Sequence, residues 1–120
     1  MNDSEVEDYL RDNGYPEPLV REGKPGLVRL WREFVEHVER GYSRGLEDYR
    51  KDLDIRAILR LAGAEDPEVL ALDQRFGNML KATNRRVWES AAGDPYWDFG
   101  YPRNAGPALM DGLREEGLTA

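Results

Sequence analysis

Pro25-Gly-Leu-Val-Arg-Leu-Trp-Arg-Glu-Phe-Val-Glu-His-Val-Glu-Arg-Gly41 has the periodicity of one helix. Leu27, Leu30, Trp31, Phe34, Val38 and Tyr42 recur at steps of 3, 1, 3, 4 and 4, and Val28 and Val35 widen the stripe. Side chains three or four apart share a helix face, so this spacing predicts an amphipathic helix over 25–41 with one broad face buried. Pro25 suits the first turn, where its missing N–H costs nothing. Arg29, Arg32, Glu33, Glu36 and Arg40 fall outside the stripe and offer Arg/Glu pairs at helical reach. Gly41 and Gly45 bracket a turn or kink at its end.

On the C-terminal side a helix is expected over 46–62, closed by Gly63. Its first half is one-sided, with Leu46, Tyr49 and Leu53 inward and Asp48, Asp52 and Arg56 outward at i,i+4 steps. Its second half is apolar nearly all round, which places this helix centrally. Glu65-Asp-Pro-Glu68 is a start signal, with Asp66 capping and Pro67 at N1. Val69, Leu72, Phe76, Met79 or Leu80, Thr83 and Val87 then predict one long helix over 67–89, with Gly77 inside it. Pro107 opens a short final helix over 107–115.

On the N-terminal side Ser4 and Glu7 have the spacing of a capping box, predicting a helix over 5–13 closed by Asn13-Gly14. Tyr15-Pro-Glu-Pro18 should run extended, because proline disfavours helix in the residue before it. No run alternates with period two in β-branched residues. The expectation is an all-α fold, a compact bundle or orthogonal array of four to five helices in a single domain over 1–120.

One segment stands outside the helical pattern. Gly93-Asp-Pro-Tyr-Trp-Asp-Phe-Gly-Tyr-Pro102 lies in an aromatic loop expected over 93–106. Tyr96, Trp97, Phe99 and Tyr101 either seal the core or present a surface to a partner. Trp97 and Phe99 lean toward the core. The hydroxyls of Tyr96 and Tyr101 want water or a partner, so these two lean toward an interface. Arg85 and Arg86, with Lys81 one turn earlier and Asn84 beside them, form the densest basic spot. Arginine forks suit carboxylate or phosphate. The plainer reading is a solvated helix face paired with Glu89.

Composition removes whole classes of chemistry. With no cysteine and one histidine among 120 residues, disulfides, catalytic thiols, thiolate metal sites and two-imidazole zinc motifs are excluded. The sole His37 has no orienting partner or nucleophile at a suggestive spacing. Asp48, Asp52 and Asp54 could hold a divalent ion, but carboxylates from one helix leave an incomplete shell, and Lys51 and Arg56 stand beside them to form salt bridges. No cofactor or metal is expected. No phosphate loop, nucleophile elbow or dinucleotide fingerprint is present. The net charge is −7, from 24 acidic and 17 basic residues. That balance argues against nucleic acid as a partner. The acidic start is unlike a signal peptide and apolar runs are short, so no membrane association and a cytoplasmic location are expected.

The leading functional expectation is a small acidic protein that acts by protein–protein contact without catalysis, as an adaptor, accessory subunit or inhibitor/immunity-type partner. A homo-oligomer is also compatible with the broad apolar stripes. The alternative is a small-molecule binder or minor enzyme that holds an anionic ligand between the fourth helix and the aromatic loop.

Overall fold

A computed structural model describes residues 2–83, 85–88 and 99–119. Among them are six helices and one two-stranded sheet: α1 (Asp3–Asp12), α2 (Glu17–Glu22), α3 (Lys24–Arg40), α4 (Leu46–Leu61), α5 (Pro67–Asn78), β1 (Leu80–Ala82), β2 (Gly100–Pro102) and α6 (Pro107–Glu115). The fold is compact and all-α in character, as the periodicity predicts.

The capping box of α1 sits two residues earlier than expected. Asn2, not Ser4, is the N-cap: its side-chain oxygen accepts from the Glu5 amide at 2.8 Å, and the Glu5 carboxylate accepts from the Asn2 amide at 3.3 Å. Asparagine caps as well as serine does, and the earlier start adds helix. Gly14, at φ +78°, then reverses the chain. The expected extended run over Tyr15–Pro18 holds only for its first half. Pro16 is extended, but Glu17 and Pro18 open α2, where a proline in the first turn forfeits no helical bond. Six residues are too few to persist alone; buried Leu19 and Val20 hold α2 in place. Gly26 of α3 makes the close approach possible, since a Cβ there would lie 2.6 Å from Glu22 Cβ.

Helix α3 packs against both α4 and α5, while α4 also contacts α6. One continuous cluster of buried side chains joins all six helices. Its centre is aromatic: Phe34 lies 5.2 Å from Trp31, 5.3 Å from Phe76, 5.7 Å from Tyr42 and 5.9 Å from Tyr49 between ring centroids. Mixed stacked and edge-on geometries of this kind add stabilisation beyond the area they bury.

Arg56 departs from its expected outward position. It is 0% exposed, and its guanidinium grips Asp73 through two bonds of 2.9 Å while a further bond reaches Glu65. Trp31 Nε1 donates to the same Asp73 at 3.1 Å. The Asp48–Asp52–Arg56 ladder therefore does not form. Two carboxylates brought in from beyond α4 outcompete the local ones because Arg56 lies on the inward face of an almost wholly apolar stretch. Once desolvated, a guanidinium needs charged partners.

The expected helix over 67–89 is the largest correction. Asp66 caps it as predicted, accepting from the Val69 amide at 3.1 Å, but α5 ends at Asn78. Gly77 is an exposed residue in its last turn rather than a mid-helix contact. Leu80, Lys81 and Ala82 then pair antiparallel with Pro102, Tyr101 and Gly100, so a small sheet occupies what read as helix and loop. Glycine and asparagine lower the cost of leaving the helix, and Arg103 stabilises its end by donating to the Asn78 carbonyl. Tyr101, on β2, becomes part of the core. The final helix matches its expected bounds, and Gly112 packs its backbone against Leu46.

Candidate functional site

The expected aromatic site is divided by the structure. Tyr96 and Trp97 lie outside the described residues. Tyr101, which leaned toward an interface, is only 4% exposed, whereas Phe99, which leaned toward the core, is 49% exposed. The inversion follows from where the strand begins: Tyr101 is held on β2, paired with Lys81 of β1, whereas Phe99 lies in the turn before the strand. Arg85 and Arg86 are exposed and lie beyond β1, not on a helix. The Arg86 guanidinium sits 5.4 Å from the centre of the Phe99 ring, within cation–π range. The expected partner Glu89 lies outside the described residues.

Beside Arg86 is an open hollow of about 510 Å³ lined by Arg50, Asp54, Val87 and Trp88. It adjoins the basic spot, but its electrostatics disfavour an anion. Arg50 is engaged by Glu116 at 2.9 and 3.1 Å and by the Val87 carbonyl at 2.9 Å. Asp54 brings a carboxylate into the same space.

A larger groove, about 950 Å³, runs between the α1–α2 hairpin and the facing sides of α3 and α4. It falls within the ~300–1,000 Å³ range of ordinary binding clefts. Tyr9, Tyr15, Leu30 and Leu61 supply its partly exposed apolar surface. Glu22, Glu33, Asp48, Asp52 and Asp54 face Arg29, Arg44 and Lys51 around it, five carboxylates against three cations. Arg29 is already bound by Glu22 at 2.9 Å and Glu33 at 3.1 Å.

Asp52 and Asp54 have a distinctive electrostatic setting. The Tyr42 hydroxyl donates to Asp52 at 2.7 Å, and Trp88 Nε1 donates to Asp54 at 3.0 Å. Both donors are neutral. Burial pushes each carboxyl above its ordinary value, and the hydrogen bond, joined at Asp52 by the more distant charge of Arg44, only partly opposes that rise. Burial also raises the Tyr15 phenol, and the neighbouring negative charge of Asp54 adds to the effect.

At the far end His37 Nε2 lies 2.9 Å from Ser43 Oγ and 3.2 Å from the Ser43 amide, which donates to it. The imidazole is tilted over the Tyr42 ring at 4.7 Å. The hydroxyl near His37 was not legible in the sequence, because the turn after α3 brings it back. That bond closes the turn into α4; no hydrogen bond orients Nδ1 among the described residues. Nor is there, among the described residues, a group of three or more His, Asp or Glu placed to hold a metal ion. No helix of the described residues is long and apolar enough to cross a membrane.

The groove itself escaped sequence reasoning. Its carboxylates were singled out, but not the hairpin opposite them. The available signal was Tyr9 and Tyr15 flanking the Asn13-Gly14 turn, two large side chains at a chain reversal. Comparison with protein-family models, curated proteins and solved structures finds no match for this chain.

Proposed function

We propose that this chain is a cytoplasmic protein that acts without catalysis, by contact with a protein partner, as an adaptor, accessory subunit or inhibitor/immunity-type protein does. The observation that carries this reading is the groove between the α1–α2 hairpin, α3 and α4. Its apolar floor and charged margin match the anatomy of a protein interface, apolar at the centre and polar at the edge. The hollow beside Arg86 shares Asp54 with the groove. A partner seated there can continue onto Arg86 and the exposed Phe99.

Two exposed leucines make a controlled test. Leu61, 40% exposed, lines the groove; Leu70, 50% exposed, does not. Leu61→Arg and Leu70→Arg introduce the same charge at comparable exposure. Affinity capture from the native cell, with thermal melts confirming both variants fold, is expected to retain a protein with wild type and Leu70→Arg and lose it with Leu61→Arg. The same set of captured proteins from all three would contradict the groove as the contact surface.

A further inference from the structure

We infer that the groove takes an amphipathic segment of the partner that carries isolated Lys or Arg side chains between apolar residues, with those cations seated at Asp52 and Asp54. The inference rests on the protein-contact reading and adds the chemistry of the partner.

Several carboxylates of this protein are held by arginines. Glu22 and Glu33 hold Arg29, Glu68 holds Arg32, Glu39 holds Arg75, Glu116 holds Arg50, and Asp73 with Glu65 holds Arg56. At Asp52 and Asp54 no cation lies within 4.0 Å among the described residues, each keeps one neutral hydrogen bond, and Arg44 reaches Asp52 only through a longer-range attraction. They are also half-buried. A carboxylate partly stripped of water with no cation in contact has given up hydration and received little in return. An arriving ammonium or guanidinium restores the missing interaction at short range and low dielectric.

The floor selects the rest of the segment. Tyr9 and Tyr15 line it with aromatic surface suited to the stems and heads of Lys or Arg, and Leu30 and Leu61 offer apolar contact. Arg44 and Lys51 line the same groove and repel a dense run of positive charge. The occupant therefore carries spaced cations, unlike a polybasic tail. A second copy of the chain is disfavoured, because each copy brings a net charge of −7.

The test is a phage-displayed library of random dodecapeptides panned on wild type, on D52N/D54N and on the control D111N/E115Q. The control removes the same charge from the exposed face of α6, away from the groove. Asparagine still accepts from Tyr42 and Trp88, so the groove variant keeps its shape. Wild type and control are expected to enrich peptides with single Lys or Arg between apolar residues, and D52N/D54N to bind those peptides about tenfold or more weakly. The inference is overturned by acidic or purely apolar enrichment, by no enrichment, by equal binding to the groove variant, or by equal weakening in the control. A sedimenting dimer that dissociates on Leu61→Arg would assign the groove to a second copy and overturn it too. If the peptide preference fails while Leu61→Arg still loses its captured partner, the cation chemistry falls and the protein-contact reading stands.

Discussion

Arg56 is the residue on which the interior is most exposed to a single change. Removing it takes the guanidinium away from Asp73, 14% exposed at its side chain, and from Glu65. Breaking a buried pair from one side costs about 3–5 kcal/mol, most of it the uncompensated charge that remains. R56M should lose that much in a denaturant titration, and R56M/D73N should recover part of it; no recovery would show that packing, not charge, sets the loss. Tyr49 is the opposite case. Its hydroxyl is buried with no hydrogen-bond partner among the described residues, so it contributes a desolvation penalty and no bond. Tyr49→Phe is expected to leave stability unchanged or to raise it by about 1 kcal/mol, measured by the same titration; a loss of that size would reveal a bonded hydroxyl. Asp52 and Asp54 carry a pH signature. Their native pKa values are raised above the 3.8 of a free aspartate, so the native state binds their protons more tightly than the unfolded chain. Their contribution is full below that value and is lost as pH rises through the raised native values. Glu17 and Glu39, lowered chiefly by hydrogen bonds from Arg11 and Arg75, run the other way, contributing above their free value of 4.5 and losing it in acid. The stability of D52N/D54N relative to wild type should therefore rise between about pH 3.5 and pH 7. A pH-independent difference would contradict the burial of these carboxyls.

Helices with a long one-sided pattern were legible in the sequence, and the elements that depend on distant partners were not. Helix α3 follows from its stripe, α4 from its apolar second half, and α6 from Pro107. By contrast β1 is three residues long and exists because β2 supplies its hydrogen bonds from some twenty positions away. Local spacing at Met79, Leu80, Thr83 and Val87 satisfied a helix equally well, since short apolar runs fit both periods. Helix α2 was hidden for a related reason: two prolines argue against helix locally, yet Leu19 and Val20 have a core to enter. The same dependence on neighbours governs Gly112. Alanine there gains about 1 kcal/mol of helix preference, but its Cβ would stand 2.9 Å from Leu46 Cβ, and overpacking costs about 1–3 kcal/mol. G112A is expected to lower the thermal midpoint despite the better helix former. A higher midpoint would mean that α4 and α6 separate easily.

For the molecule as a whole, the aromatic core, the hairpin wall and the acidic margin combine into one concave surface. The sequence pointed to Asp48, Asp52 and Asp54, and to Phe99 and Arg86, but as separate features on separate segments. Their relation arises only when the Asn13-Gly14 turn folds the α1–α2 hairpin over α3 and α4, and when the turn before β2 leaves Phe99 exposed. Like-charged copies should stay apart, so sedimentation equilibrium is expected to report a monomer of 13.8 kDa at low salt; a dimer whose mass persists in Leu61→Arg would place self-association on another face. The claim on which the account turns is that the groove receives a cation-bearing segment. Amide chemical shifts, followed while wild type is titrated with the most enriched basic dodecapeptide, read this residue by residue. The account predicts saturable shifts concentrated at Tyr9, Tyr15, Leu61 and the Asp52–Asp54 turn of α4, with D52N/D54N needing about tenfold or more peptide to reach them. Shifts confined to α6 and Leu70, or none at all, would contradict it.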